Sequence, residues 1–315
     1  MTINVAILDD YQNAALDSAD WSALHNLATI TVFTDHLTHA DDVVARLLPF
    51  DVVCVMRERT PLPRAILERL PRLKLIASTG SRNASIDAKA AEERGIAVTH
   101  TGYDSSPTIE LTWALILASS RHIAAEQASV RSGAWQHTLG EGLRGKTLSV
   151  LGLGNIGSEV AKIGIAFGME VLAWSQNLTE EKASMHGVRL VSKTELFREA
   201  DILTIHLVLS ERTRGLVGAV ELGTMKQTAR LVNASRGPIV DEAALVEALR
   251  ERRIAGAALD AFDVEPLPAN HPFRSLENVL STPHIGYVSR ELYKTFYGDA
   301  ARHIAAWASQ HVRRE

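Results

Sequence analysis

From Leu148 to Gly157 the chain reads Leu-Ser-Val-Leu-Gly-Leu-Gly-Asn-Ile-Gly. A strand-like run, Thr147–Leu151, passes directly into glycines spaced G-x-G-x-x-G, and a helical pattern follows from Asn155 to about Phe167. No other stretch restricts the fold as much, because each glycine answers a steric demand of a strand that turns at once into a helix. Gly152 permits the tight turn, Gly154 lets backbone approach a pyrophosphate, and Gly157 lets helix and strand pack closely. The helix N-terminus stabilises the phosphate charge. Alone the motif is weak evidence. A second strand at Glu170–Trp174 completes the βαβ context that makes it a dinucleotide-binding signature.

In an NAD enzyme that second strand ends in an acid that bonds the ribose 2′-hydroxyl. Here the end reads Trp174-Ser175-Gln176-Asn177, with no acid before Glu180 and no base before Lys182. Nothing repels a 2′-phosphate and nothing attracts one, so NAD and NADP both stay open.

The same alternation of strand and helix runs through the whole chain. Ile3–Leu8, Ile30–Thr34, Val52–Met56, Leu75–Ser78 and Ala97–Thr99 read as strands. Helix-like stretches lie between them near Ser18–Leu27, Ala40–Leu48, Pro63–Leu70 and Asp87–Glu93, the last ended by Gly95 as a C-cap glycine. Ser106-Pro107 supplies an N-cap and a first-turn proline for a long helix to about Ser129. That helix is apolar nearly all round, hence buried. A second block adds strands at Ile202–Leu207, Arg230–Asn233, Gly256–Asp260 and Val279–Ser281. A helix follows from about Ser289, with Leu292, Phe296, Ala300 and Ile304 forming an apolar stripe that needs a partner. Such alternation predicts an α/β fold of parallel sheets covered by helices. The 315 residues suffice for two domains.

Composition removes several function classes. A net charge of -4 gives no basic field for nucleic acid. No apolar run approaches the length of a membrane span. The N-terminal Thr2–Leu8 meets Asp9-Asp10 at once and lacks a basic n-region, so a buried strand is expected there rather than a signal peptide. The single Cys54 rules out an internal disulfide, reads as core packing, and fits a reducing cytoplasm. His36 and His39 have no clear third ligand, so no metal site is expected.

Three stretches near the C-terminal end carry chemistry. They are Asn233–Gly237, Asp263–Pro268 and Thr282–Tyr287, which set Arg236, Glu265 and His284 among turn-forming residues. Arginine holds a carboxylate by a bidentate fork. Histidine passes a proton near neutral pH. A glutamate bonded to that histidine orients the ring and favours its protonated form. Together with a hydride donor, the set suits reduction of a keto acid. Asp263 competes with Glu265 for the histidine; the Glu-Pro context favours Glu265.

The fingerprint and these three stretches, in this order and spacing, resemble the D-isomer-specific 2-hydroxyacid dehydrogenase family. The family includes phosphoglycerate, D-lactate and glycerate dehydrogenases, and glyoxylate and hydroxypyruvate reductases. The resemblance implies two doubly wound parallel-sheet domains. A Rossmann NAD(P)-binding domain, residues 100–283, would be inserted into a flavodoxin-like substrate domain made of residues 1–99 and 284–315. It implies that Arg236 binds the substrate carboxylate and carbonyl oxygen, that His284 is the general acid and base, and that Glu265 bonds the far ring nitrogen. It implies a cofactor site with Asn155 and Ile156 at the pyrophosphate beside Gly152, Gly154 and Gly157. Ser175 would lie at the adenosine ribose, Ala234, Arg236 and His284 at the nicotinamide side, and Asp260 at the carboxamide. A homodimer through the long helix and an arm carrying Trp135 is implied too. A transcriptional corepressor that senses NAD(H) on the same fold is the rival reading; formate dehydrogenase is a further one, but that branch carries Gln where this chain has Glu265.

One departure stands out. Family members bind the substrate carboxylate on the backbone of a Gly-x-Gly loop. This chain has Gly80-Ser81-Arg82, with Arg82 in place of the second glycine. Either Arg82 meets a second acidic group on the substrate or it points to solvent. Arg57 matches a position where the family often has a substrate-facing polar residue; Arg59 is a weaker candidate. His206 is either a structural histidine or a cofactor neighbour, and Glu110 a structural hydrogen-bonder.

Overall fold

The structure is a computed structural model that describes residues 2–311. Contacts divide the chain into two units: the stretch up to Asp104 together with the chain from Val288 on, and Ser105–Tyr287 between them. The first stretch carries β1 (Ile3–Ile7), β2 (Ala28–Val32), α1 (Ala40–Leu47), β3 (Val52–Val55), α2 (Arg64–Leu67), β4 (Leu75–Ser78), α3 (Ala88–Glu93) and β5 (Ala97–His100). The second unit opens with α4 (Ser106–Ser120) and α5 (Ile123–Arg131), then β6 (Thr147–Leu151), α6 (Asn155–Ala166), β7 (Glu170–Trp174), α7 (Glu180–Met185) and β8 (Arg189–Leu190). It continues with α8 (Lys193–Glu199), β9 (Ile202–Ile205), α9 (Ala219–Thr224), β10 (Arg230–Asn233), α10 (Glu242–Arg250), β11 (Gly256–Leu259) and β12 (Val279–Ser281). The closing helix α11 (Arg290–His311) belongs to the first unit.

The first unit is a parallel sheet ordered β2-β1-β3-β4-β5, the flavodoxin-like order. Its central strands β3 and β4 are buried at every residue, as a sheet covered on both faces requires. Val43, Val44, Leu47, Ile66 and Leu67 of α1 and α2 pack in one core cluster. The stripe Leu292, Phe296, Ala300 and Ile304 of α11 is buried, and the helix lies against β4 and β5. The stripe that lacked a partner in the sequence therefore finds it in a sheet made nearly two hundred residues earlier.

The second unit is a parallel sheet ordered β12-β11-β10-β9-β6-β7-β8. Strand order reverses between β6 and β9, the doubly wound arrangement with a topological switch point there. Helix α4 covers this sheet alongside α6, burying Trp113, Leu115 and Ile116.

Several local expectations change. Ser18–Leu27 is not a helix; only a 3-10 turn at Ser22–Leu24 forms. The Asp10 carboxylate accepts the N–H groups of Ala14 and Ala15 at 3.0 and 2.8 Å, and Trp21 Nε1 donates to the Ala15 carbonyl at 3.0 Å. These bonds wrap the segment as a loop and still bury Trp21 and Leu24. The long helix breaks at His122, whose φ is 51°, into α4 and α5. Ser105 rather than Ser106 is the N-cap residue of α4, and Pro107 follows inside the first turn. Gly95, with φ of 66°, ends α3 as expected: Ile96 N–H reaches the Ala91 carbonyl and Gly95 N–H that of Glu92, a Schellman pattern.

The unit boundaries fall at Asp104 and Tyr287, not at Thr99 and Pro283. Residues 101–102 are tied to the first unit, because Thr101 bonds Gly80 and Gly102 N–H donates to Asp299. Residues 284–287 are tied to the second, because Ile285 and Gly286 N–H donate to Asp260. No helix among the described residues is long and apolar enough to cross a membrane.

Candidate active site

Three neighbouring strands explain the order of the C-terminal trio. β10, β11 and β12 are parallel and adjacent, so the loops leaving their C-terminal ends share one edge of the sheet. Arg236 follows β10, Glu265 follows β11 and His284 follows β12. In open α/β sheets this carboxyl edge is where ligands bind.

His284 Nδ1 lies 2.5 Å from Glu265 Oε2. The other oxygen, Oε1, accepts the Phe262 N–H at 2.9 Å. Burial works to raise the Glu265 pKa, but the bonds from His284 and Phe262 and the charge of Arg236 outweigh it, and the pKa falls below the usual glutamate value. An ionised carboxylate can only accept, so Nδ1 carries the proton of the shared bond. Nε2 is thereby left as the nitrogen able to exchange a proton with a ligand. Asp263 makes no bond to His284.

The loops beneath this pair are braced by buried polar groups. Asp260 is fully buried. Its Oδ1 accepts the Thr282 hydroxyl at 2.6 Å and the Ile285 N–H at 2.9 Å, and its Oδ2 accepts the Gly286 N–H at 2.8 Å. Burial raises its pKa against these lowering bonds. Asp260 was expected at the nicotinamide carboxamide; here its carboxylate clamps the loop on either side of His284, which itself sits at φ of 53°. Thr108 closes the same loop by donating to the Gly286 carbonyl at 3.0 Å. Asn233 is buried at the end of β10 and bonds the Arg236 carbonyl at 3.0 Å and the Ser235 N–H at 3.0 Å. A β-carbon on Gly237 would stand 2.1 Å from the Phe262 carbonyl carbon, so this glycine lets the Arg236 loop rest on the Glu265 loop. The clamps Asp260, Asn233 and Thr108 escaped the sequence reading as such; short polar residues at strand ends are common, and only coordinates reveal what they hold.

At the switch point the glycines behave as their spacing requires. Gly152 has φ of 104°, and a β-carbon there would meet the His206 carbonyl oxygen at 2.8 Å. A β-carbon on Gly157 would stand 2.0 Å from the Gly152 carbonyl oxygen, whereas Gly154 faces open space. Helix α6 begins at Asn155 with no side-chain cap, so its first-turn N–H groups, including those of Asn155 and Ile156, are orphan donors. Open space, uncapped donors and a helix N-terminus together fit the pyrophosphate of a dinucleotide. Ser175 and Ala234 are half-buried at the ends of β7 and β10. His206 Nε2 pairs with the Thr204 hydroxyl at 2.9 Å, and burial pushes the ring pKa down to about 4. It is a neutral histidine at the end of β9.

In the first unit, the expected loop departs from the sequence reading. The Gly80 N–H is already bonded to the Thr101 hydroxyl at 2.7 Å, so Gly80 is not a free backbone donor. Ser81 and Arg82 are exposed, and the Arg82 side chain has no ion-pair or hydrogen-bond partner among the described residues. Arg57, by contrast, is held against Gly80. Arg59 bonds the Asp9 carbonyl at 2.6 Å and stacks over Tyr11. His36 is engaged by Asp9 at 2.8 Å. Cys54 lies buried in β3, its thiol pKa pushed up to about 12 by burial. Glu110 and Trp135 are exposed on the second unit.

A doubly wound sheet with a phosphate cradle at its switch point, and an Arg-Glu-His set on its carboxyl edge, defines a nicotinamide-dependent dehydrogenase. Residues 113–286 match the family model described as D-isomer specific 2-hydroxyacid dehydrogenase, NAD binding domain. The chain is 44% identical over 257 residues to the glyoxylate reductase of Aeropyrum pernix, covering 78% of this chain and 77% of that protein. It is 37% identical over 285 residues to the hydroxypyruvate reductase of Thermotoga maritima, covering 89% and 91%. The crystal structure of a phosphoglycerate oxidoreductase from Vibrio cholerae O395 superposes with a TM-score of 0.93 at 36% identity, covering 98% and 100%. The chain spans about half the length of the D-3-phosphoglycerate dehydrogenase of Methanocaldococcus jannaschii, at 49% of that protein. The chain belongs to the D-isomer-specific 2-hydroxyacid dehydrogenase family. It is an NAD(P)-dependent oxidoreductase acting on 2-hydroxy acids.

Proposed function

We propose that the chain interconverts a small 2-keto acid and its D-2-hydroxy acid, with glyoxylate and hydroxypyruvate as the favoured keto acids. The observation that carries the reading is the His284–Glu265 bond, which fixes Nδ1 as the held nitrogen and frees Nε2. In reduction, His284 Nε2 donates its proton to the carbonyl oxygen as that oxygen gains charge; in oxidation it takes the proton from the hydroxyl. Glu265 keeps the ring oriented through the bond to Nδ1. Arg236 binds the substrate carboxylate and polarises the carbonyl. Asn155, Ile156 and the three glycines hold the pyrophosphate, Ser175 the adenosine ribose, and Ala234 the nicotinamide side. When bound, the nicotinamide supplies the hydride. Within the first unit, Arg57, Ser81 and Arg82 are the groups suited to an acidic ligand.

The keto-acid choice is drawn from the named relatives with high coverage in both directions. The reading includes a homodimer, supported by Ile123, Val130, Trp135 and Leu139, which are 56%, 56%, 73% and 93% exposed. Exposed apolar residues gathered in one patch suit an interaction surface. It also includes a cytoplasmic location, which the single buried Cys54 suits.

The test is oxidation of NADH and NADPH against glyoxylate, hydroxypyruvate, pyruvate, phenylpyruvate, 2-oxoglutarate and phosphohydroxypyruvate, with the wild type and His284→Ala. Removing a general acid should lower kcat by about 100-fold or more. Undiminished turnover in the variant would remove His284 from the mechanism. Preference for phosphohydroxypyruvate would make the chain a phosphoglycerate dehydrogenase.

A further inference from the structure

Glu265 stands on a loop that packing does not hold. Residues 263–266 are all exposed, and a segment with few buried contacts opens easily. Like charge also faces the start of the loop. Burial first, and then the nearby Glu242 carboxylate, raise the Asp263 pKa. Yet the His284–Glu265 bond requires one fixed position of the Glu265 carboxylate. The bonds that supply it lie further along the chain, at His271.

Both ring nitrogens of His271 are engaged. The Phe273 N–H donates to Nδ1 at 3.2 Å, and Nε2 lies 3.0 Å from Glu242 Oε1. A backbone N–H can only donate, so Nδ1 carries no proton and Nε2–H donates to Glu242. The ring is thus the tautomer opposite to that of His284. Its side chain is only 13% exposed and lies against the Phe273 ring, with 4.7 Å between centroids. Nδ1 caps the 3-10 turn Pro272–Arg274. That turn grips the end of the Glu265 loop. The His271 N–H donates to the Pro268 carbonyl at 3.0 Å, and Arg274 Nε and Nη2 donate to the Pro268 and Leu267 carbonyls at 2.8 and 2.6 Å. Glu242 opens α10, so Nε2 moors the turn to that helix.

We propose that His271 is a positioning residue for the reaction: through Phe273 and Glu242 it fixes the far end of the loop that carries Glu265. The near end is fixed by the Phe262 N–H on Glu265 Oε1. The carboxylate is then held from both sides, and through it the His284 ring. His271 acts on the chemistry only by way of Glu265. This rests on the keto-acid reading.

The test uses the whole chain with NADH and glyoxylate or hydroxypyruvate, comparing His271→Ala, His271→Asn, His271→Gln, Glu265→Gln and the double variant His271→Ala/Glu265→Gln. His271→Ala should lower kcat about tenfold or more and leave KM within about threefold. Asparagine places an oxygen where Nδ1 stood and restores the cap; glutamine places an amide N–H where Nε2 stood and restores the mooring. Each should recover part of kcat, and failure of both to exceed alanine overturns the proposal. In the Glu265→Gln background, His271→Ala should change kcat by less than about twofold, while the melting temperature still falls. Losses that multiply in the double variant assign His271 a structural role only and overturn the proposal. If His271→Ala fails to fold, His271→Asn and His271→Gln take its place in both backgrounds. A readout without turnover is the proton NMR signal of His284 Nδ1–H, followed in protein with 15N-labelled histidine. That signal should shift or broaden in His271→Ala, and an unchanged signal overturns the proposal. A wild type that reduces no keto acid, but whose His284 signal depends on His271, would defeat the proposed reaction and leave the positioning role standing.

Discussion

Asp260→Asn exchanges one oxygen for an amino group and leaves side-chain volume almost unchanged. The structure nonetheless makes it a damaging change. Three donors converge on the carboxylate: Thr282 Oγ1 and Ile285 N–H on Oδ1, and Gly286 N–H on Oδ2. An amide offers one acceptor. Whichever way it is turned, its amino group faces a backbone N–H, that of Gly286 or that of Ile285. One buried donor is left unsatisfied, at about 1–3 kcal/mol, and the remaining bonds lose their charge assistance, at about 1 kcal/mol more. Part of this is offset. Burial raises the Asp260 pKa, which means that the charge is costly to hold there and a neutral side chain is spared that cost. The net expectation is a loss of about 1–3 kcal/mol. At roughly 2–4 °C per kcal/mol for a unit this size, the melting temperature should fall by about 2–12 °C.

The same clamp holds the loop on both sides of His284, so kcat should fall along with stability. A displacement of the ring by about 1 Å is enough to lower the rate about 100-fold. Differential scanning calorimetry and steady-state kinetics read the two effects on one preparation. A melting temperature unchanged within 1 °C together with weakened NADH binding would refute the clamp, and would return Asp260 to a contact with the nicotinamide.

Gly157→Ala places a β-carbon 2.0 Å from the Gly152 carbonyl oxygen, with backbone on both sides of the clash; NADH affinity should fall at least about tenfold and stability by about 1–3 kcal/mol, as read by fluorescence titration and thermal melting. The lowered Glu265 pKa means that the native state releases this proton more readily than the unfolded chain. Its stabilisation is therefore present above the ordinary value of 4.5 and is lost as pH falls through the lower native value. Glu265→Gln should accordingly lower the melting temperature at neutral pH and shrink its decline below about pH 4.5, and parallel curves for both proteins would contradict the pairing. Trp135→Glu, at a tryptophan that is 73% exposed, should convert a sedimenting dimer to a monomer, and a wild type that sediments as a monomer removes the proposed interface.

Sequence pattern located the strands well because parallel strands buried on both faces are short apolar runs with few alternatives. It failed where a long-range bond decides the local shape. Ser18–Leu27 has helical spacing, but Asp10 and Trp21 organise it as a loop. β8, two residues long, is too brief for any periodicity. The break at His122 depends on a left-handed residue that carries no glycine to announce it. Arg57 is named by its position in the sequence, but its direction follows from a positive φ that arginine does not advertise.

The contrast between the two kinds of residue has a physical cause. Arg236, Glu265 and His284 leave three adjacent parallel strands, and their loops rest on Asn233, Gly237 and Asp260, each of which is buried. Changing any of these braces leaves a buried polar group unpaired or drives two backbones together, which costs stability as well as rate. Residue types in those loops are therefore tightly constrained, and a motif survives to be read. Ser81 and Arg82 are exposed, and the Arg82 side chain touches no polar partner among the described residues. Substitution there exacts no folding penalty, so the loop is free to follow the substrate. Legible chemistry and illegible specificity are thus two outcomes of one rule: sequence records a function clearly where the same side chains also hold the fold together.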